Sequence, residues 1–219
     1  MQAQGGLAVV VAAAPVAPSP RLQGRLAGLD RPFVVAADAG ARTALALGLV
    51  PDVVVGDFDS LDAATLAALE AQPIRIERHP RDKDATDGQL AIERALETRP
   101  ARLLLVGFWG GPRLDQAVAS VLLLERLLVP TTLLDSANEC QLLRDGEAVA
   151  WAPQAGEIVS LLPLSEVVTG VQTHGLRWPL EGAALHRGST RGVSNEPVAG
   201  RVQVAIGHGR LLLTRHFPG

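Results

Sequence analysis

Apolar residues in the first part of the chain fall in short unbroken runs: Leu7–Val11, Phe33–Ala36, Val53–Val55, Ile74–Ile76, Leu103–Val106 and Thr132–Leu134. Between most of them lie stretches with helical spacing, at Ala41–Gly48, Ala63–Ala71, Gly88–Thr98 and Leu114–Leu128. Strands that are apolar throughout must be covered on both faces, and parallel strands need connections long enough to hold a helix. The pattern predicts an α/β N-terminal domain with a mostly parallel sheet and flanking helices. After about residue 137 the rhythm changes. Turn residues recur at short intervals, at Asp145-Gly146, Gly156, Gly170, Gly175, Glu181-Gly182, Gly188 and Gly200, and no stretch remains for a substantial helix. That spacing predicts a small all-β sandwich C-terminal domain. The expected division is 1–137 and 138–219, joined tightly within Asp135–Glu139.

In a parallel α/β sheet, ligands bind beyond the carboxyl ends of the strands. Asp38, Asp57, Asp59 and the loop after Val106 all fall at such ends. Gly56-Asp57-Phe58-Asp59-Ser60 follows Val53–Val55 directly, and in an extended segment residues i and i+2 point the same way. A second acidic cluster, Asp82-Lys83-Asp84-Ala85-Thr86-Asp87, precedes a helical pattern, so Asp84 and Asp87 are expected on one face of its first turn. Converging carboxylates suit Mg²⁺, which takes one or two of them and completes its shell with water and phosphate oxygens. Each cluster also has a plain reading as helix caps, Asp59 or Ser60 in one case and an Asp84/Asp87 capping box in the other. Four carboxylates on one rim repel unless cations neutralise them, which favours a metal-dependent enzyme acting on a nucleotide.

Composition narrows the field. The 219 residues are 47% hydrophobic and 20% charged, with a net charge of −3 and no basic stripe, so a nucleic-acid surface is excluded. The run Leu7–Ala14 is too short to span a bilayer, and no Lys or Arg precedes Arg21 as a secretory signal requires. It is expected to be a buried first strand, and no membrane partner is expected. One cysteine, Cys140, rules out an internal disulfide and fits a reducing compartment, so the cytoplasm is the expected location. Of the 20 basic residues 19 are arginine, and the one lysine, Lys83, sits inside the second acidic cluster. Lysine is a compact point charge able to meet a phosphate oxygen, though a solvated loop would tolerate it equally.

Gly107-Phe108-Trp109-Gly110-Gly111-Pro112-Arg113-Leu114-Asp115 forms a glycine-rich turn into the last helix of the α/β part. Backbone N–H groups at such a helix start can meet an anion, and Arg113 adds a planar fork suited to phosphate. No Gly-Lys-Ser/Thr follows, so this is not a Walker A loop. In the β part, Gly175-Leu176-Arg177-Trp178-Pro179-Leu180 and Gly188–Glu196 stand out. Trp178 could stack on a cationic ring, while on residue type alone it is a core residue. The five histidines show no ligand spacing.

Seven segments in order resemble the thiamine pyrophosphokinase family. They are Ala37-Asp38-Ala39-Gly40, Pro51–Ser60, Asp84-Ala85-Thr86-Asp87, the Gly-Gly…Arg113-Leu114-Asp115 turn, Ser160–Ser165, Gly175–Leu180 and Gly192-Val193-Ser194-Asn195-Glu196. The resemblance implies an N-terminal ATP- and Mg²⁺-binding catalytic domain, a C-terminal thiamine-binding β-sandwich, and a homodimer with thiamine held between subunits. It implies transfer of pyrophosphate from ATP to thiamine, giving thiamine diphosphate and AMP. Asp57, Asp59, Asp84 and Asp87 would serve Mg²⁺, with Asp57, Asp59 and Asp87 catalytic. Asp38, Lys83, Asp84, Arg113 and Asp115 would hold ATP, and Trp178 and Ser194 would face thiamine. The chain departs from the family's usual pattern at Ala39, where a glycine is common, at Pro112, and at Gln116, where a histidine is common. A pyrophosphokinase for another heteroaromatic alcohol, such as a hydroxymethylpterin, and a non-catalytic nucleotide or thiamine sensor remain as rivals.

Overall fold

The computed structural model describes residues 5–218. The chain divides between Ser136 and Ala137 into two compact units. The first is built on six strands: β1 (Leu7–Val11), β2 (Phe33–Ala37), β3 (Val53–Gly56), β4 (Arg75–Arg78), β5 (Arg102–Val106) and β6 (Thr131–Leu134). Their order in the sheet is β4-β3-β2-β1-β5-β6, and every pairing among them is parallel. The order reverses direction at β1, which has β2 on one side and β5 on the other. Crevices for ligands open at such a switch point, outside the carboxyl ends of the strands.

Five helices connect these strands in turn: α1 (Pro20–Ala27), α2 (Gly40–Ala46), α3 (Ala63–Glu70), α4 (Asp87–Leu96) and α5 (Leu114–Leu123). Leu22 and Leu26 of α1 and Ala44 of α2 pack with Val9, Val11, Leu104 and Val106. Val10, facing the other way, is equally inaccessible, and α4 lies along β1, β2 and β3. Both faces are therefore covered, the reason these strands read as unbroken apolar runs.

The sequence pattern missed α1, whose apolar stripe is short and whose start is set by Ser19. The Ser19 hydroxyl accepts from Leu22 N–H at 3.1 Å, with Pro20 in the first turn. The expected helix Leu114–Leu128 stops at Leu123 and continues as a 3₁₀ turn, Leu124–Arg126. The capping box expected from Asp84 and Asp87 is absent from the start of α4. Thr86 caps that helix, its hydroxyl accepting from Gln89 N–H at 3.2 Å, and Asp84 lies in the loop before it.

The second unit has two antiparallel sheets. One has the order β7 (Asn138–Leu143), β13 (Leu211–His216), β9 (Ile158–Pro163). The other runs β11 (Ala183–His186), β10 (Val167–His174), β12 (Val202–Ala205), β8 (Ala148–Trp151). Alternate residues of both sheets, among them Val159, Leu161, Val171, Val204 and Leu213, share one core. This inward alternation makes the unit a small β-sandwich.

Candidate active site

The acidic rim is assembled by parallel register. Val55 pairs with Ala37, so β2 and β3 end side by side, and Asp38 N–H donates to Val55 O at 2.8 Å. Asp38 follows β2 with a left-handed backbone (φ 48°), and Phe58 between the other two aspartates is also left-handed (φ 63°). Conformations of this kind are costly for residues other than glycine and persist where the surroundings hold them. Phe58 is held by burial, 5% exposed, with the Arg78 guanidinium 5.0 Å from its ring centre. Asp57 and Asp59 therefore do not converge through strand alternation, as the sequence pattern predicts. The strand ends at Gly56, and a tight turn closed by Asp59 N–H donating to Asp57 Oδ1 at 3.1 Å brings them round.

The result is a group of three carboxylates, Asp38, Asp57 and Asp59, each with one oxygen within 4.8 Å of the others. Asp38 Oδ2 accepts from the Ser60 hydroxyl at 2.5 Å, and Asp38 Oδ1 is buried with no hydrogen-bond partner. An inaccessible carboxylate oxygen left unpaired beside two more carboxylates fits a hard divalent cation, which takes oxygen donors. Burial pushes the Asp38 carboxyl above its usual value. The Ser60 bond offsets part of that rise, and the charges of Asp87 and Asp57 add to it. Asp57 is held below its usual value, chiefly by the Asp59 N–H; burial opposes this and Lys83 assists it.

Lys83 Nζ lies 3.0 Å from Asp87 Oδ1 and 3.5 Å from Asp57 Oδ2. Burial alone lowers its pKa, but the hydrogen bond and charge of Asp87, then Asp57, outweigh this and hold it above the ordinary lysine value. The structure thus joins Asp57, Lys83 and Asp87 in one ionic chain. Asp84 is exposed and lies outside the three-carboxylate group. Asp38 joins that group instead, a place that its distance in sequence from Asp57 conceals.

Gly40 explains why Ala39 is tolerated in the loop after Asp38. A Cβ on Gly40 would stand 2.2 Å from Val11 O, whereas Ala39 has an ordinary helical backbone (φ −58°). The close approach of α2 to the end of β1 needs only the second glycine. Gly107 (φ 72°) is constrained in the same way, since its Cβ would meet Ala12 O at 2.4 Å. In the turn it opens, Trp109 Nε1 donates to the Asp135 carboxylate. Arg113, at the N-cap of α5, makes no cap and instead grips Asp115, Nε to Oδ1 at 2.8 Å and Nη2 to Oδ2 at 2.5 Å. That pair holds the Asp115 carboxyl down at about 2. The guanidinium is 65% exposed, and its other donors remain for an anion.

In the β unit Trp178 is 55% exposed, so it is not the core residue its type alone predicts. With Leu161, Leu180, Arg191 and Asn195 it lines a cleft of about 310 Å³. Ser194 lies beside this cleft with a left-handed backbone (φ 61°), its N–H donating to Ser160 Oγ at 3.0 Å. Asn195 was not singled out from the sequence. It is nearly inaccessible, and its side chain accepts from the Trp178 N–H and donates to the Trp178 C=O.

Comparison with known proteins gives the same reading twice along the chain. Residues 29–133 match the family model of the thiamin pyrophosphokinase catalytic domain. Residues 149–211 match that of the thiamin pyrophosphokinase vitamin B1 binding domain. A thiamine pyrophosphokinase of Bacillus subtilis (strain 168) is 28% identical over 184 residues, 83% of this chain and 86% of the relative. The crystal structure of the thiamine pyrophosphokinase from Bacillus subtilis superposes with a TM-score of 0.86 at 24% identity, over 97% of this chain and 100% of the other. That of the thiamin pyrophosphokinase from Geobacillus thermodenitrificans gives 0.84 at 28% identity, over 97% and 98%. The chain belongs to the thiamine pyrophosphokinase family of enzymes.

Proposed function

We propose that this enzyme transfers pyrophosphate from ATP to thiamine in a Mg²⁺-dependent reaction, giving thiamine diphosphate and AMP. The observation that carries the reading is the convergence of Asp38, Asp57 and Asp59, with Asp38 Oδ1 buried and unpaired, at the carboxyl rim of a parallel sheet. Residues 1–137 are then the catalytic domain and 138–219 the thiamine-binding domain. Asp57 and Asp59 would hold Mg²⁺ with Asp38, and Asp84 and Asp87 would add negative charge on the metal side. Bound there, the ion neutralises charge on the polyphosphate oxygens.

Asp38, Lys83, Asp84, Arg113 and Asp115 serve ATP. The Lys83 ammonium presents a point charge to a phosphate oxygen, and Arg113 offers its free donors as a fork. Trp178 and Ser194 face thiamine. An indole face attracts the cationic thiazolium by up to about 2 kcal/mol when water is excluded. The hydroxyethyl oxygen of thiamine forms a bond to the β-phosphorus of ATP as the bond from that phosphorus to the α–β bridging oxygen breaks; the hydroxyl proton passes to solvent and AMP leaves. The transition state of such transfers is loose, so positioning and charge neutralisation matter more than a strong base. We place the enzyme in the cytoplasm as a homodimer with shared active sites, its partners being ATP and thiamine.

The deciding experiment measures AMP release from ATP with and without thiamine. AMP formed only with thiamine, in step with thiamine diphosphate, is the expected result. AMP formed with a hydroxymethylpterin but not thiamine would reassign the acceptor. ATP binding without AMP under any acceptor would make the protein a sensor.

A further inference from the structure

Trp178 sits in the irregular stretch between β10 and β11, more than half exposed. An indole on such a stretch has rotamer and backbone freedom that binding must remove. The neighbouring residues are restrained by a short ladder: Leu176 bridges Pro197, and Arg177 N–H donates to Glu196 O at 2.8 Å. At Trp178 the backbone ladder stops and a side chain replaces it. Trp178 N–H donates to Asn195 Oδ1 at 3.1 Å, and Asn195 Nδ2 donates to Trp178 O at 2.7 Å. Asn195 Oδ1 also accepts from Glu196 N–H at 2.9 Å.

Asn195 is itself anchored. Its side chain is buried, and its backbone N–H and C=O both exchange hydrogen bonds with Val159 of β9 at 2.8 Å. A line of restraint therefore runs from the sandwich core through β9 and the Asn195 amide to the Trp178 backbone. The chemistry of the link is specific. A primary amide sets an acceptor oxygen and a donor nitrogen side by side in a single plane, matching a peptide N–H and C=O as a strand partner would. A carboxylate lacks the donor, and a hydroxyl cannot reach both groups.

We propose that Asn195 is a positioning residue that fixes the Trp178 indole at the cleft, so that a heteroaromatic cation binds a preset aromatic wall. The inference rests on the reading of this cleft as the thiamine site. Preset geometry lowers the ordering cost of binding, so its loss should appear in thiamine affinity and leave ATP untouched.

The test is a double-mutant cycle on the full-length enzyme with Asn195→Ala, Trp178→Ala and both together. Asn195→Ala should raise the KM for thiamine about tenfold, as loss of these hydrogen bonds implies, with KM for ATP and kcat little changed. If Asn195 acts through Trp178, adding Asn195→Ala to Trp178→Ala should change that KM by less than about twofold. Asn195→Asp keeps the acceptor, loses the donor and adds a carboxylate charge, and should also shift the KM for thiamine. It also decides the matter if Asn195→Ala does not fold, because it too should lose its effect once Trp178 is gone. Fully additive losses, or equal damage to both substrates, overturn the positioning role while the thiamine reading stands on the Trp178→Ala result. If Trp178→Ala alone leaves the KM for thiamine unchanged, the cleft is not the thiamine site and the inference falls with it.

Discussion

Ser60 donates its hydroxyl to Asp38 Oδ2 at 2.5 Å, tying the residue after one strand to the turn after the next. The bond occupies one carboxylate oxygen and leaves Oδ1 unpaired beside Asp57 and Asp59. Ser60→Ala should free the carboxylate to rotate and remove a bond that offsets the upward pull of burial on its pKa. Mg²⁺ affinity measured by calorimetry should fall about fivefold, the equivalent of one hydrogen bond worth ~1 kcal/mol. Unchanged affinity would mean that Asp38 takes no part in holding the ion.

Asp57→Asn and Asp59→Asn should each lower turnover by orders of magnitude while the fold survives, because these side chains lie on the rim and not in the core. Asp59→Asn, which removes one of several crowded like charges, should leave the melting temperature of the metal-free protein unchanged or raised, whereas Asp57→Asn gives up the ion pair with Lys83 and should lower it. Near-normal activity of either variant at limiting Mg²⁺ would remove that residue from the metal site.

The Arg113–Asp115 pair sets an acid-pH signature. Asp115 titrates at about 2, against an ordinary 3.8, with the Arg113 hydrogen bond as the leading cause. A depressed carboxyl contributes stability that is present above its unfolded value and lost as pH falls through the folded one. Here that window runs from about 4 down to about 2. Both side chains are more than 60% exposed, so the contribution is small and screened by salt. A carboxyl NMR titration should show Asp115 returning toward 3.8 in Arg113→Gln. Titration near 3.8 in the parent protein would mean the pair does not persist in solution.

In the β unit a buried ionic knot should dominate stability. Arg215 reaches Glu157 with Nε to Oε1 at 2.7 Å and Nη2 to Oε2 at 3.0 Å, and Glu139 with Nη1 at 3.2 Å. Trp151 Nε1 adds a bond to Glu157 Oε1 at 2.7 Å, and the Glu157 side chain is fully inaccessible. Glu157→Ala leaves the partly buried guanidinium with Glu139 as its remaining carboxylate and should cost about 3 kcal/mol, read by denaturant unfolding. A loss below about 1 kcal/mol would show that water reaches this cluster.

If the enzyme is a homodimer with shared sites, as proposed, two inactive variants should complement. Asp57→Asn and Trp178→Ala proteins, each inactive or weak alone, are mixed and allowed to exchange subunits. If each site draws Asp57 from one chain and Trp178 from the other, a mixed dimer has one intact and one doubly damaged site. Random exchange then restores about a quarter of all sites. Verified exchange with no recovery would place each site within a single chain.

The rim was legible in the sequence as a set of acidic residues at strand ends, but its geometry was only partly so. Spacing put Asp57 and Asp59 together on the assumption of an extended chain, whereas the left-handed backbone of Phe58 does the work. An aromatic residue in that conformation leaves no local pattern, because neighbours from elsewhere in the fold hold it there. Asp38 joins Asp57 through the register of β2 against β3, a relation between strands that no local periodicity encodes. Thr86 caps α4 although the two aspartates beside it carry the stronger local capping signature. Asn195 reaches back 17 residues to Trp178 across irregular segments, where amphipathic pattern has nothing to say.

Lys83 carries the chain's one side-chain primary amine, since its other basic residues are guanidiniums. Unprotonated amines attack activated esters and acyl phosphates, so apart from an α-amino group such reagents have a single amine address on this molecule. That address is the ammonium lodged between Asp57 and Asp87, 13% exposed and held protonated by them. Acylation must wait for the ion pairs to open and a proton to leave. Its rate is therefore a covalent clock for motion at the acidic rim, readable by mass alone and independent of turnover.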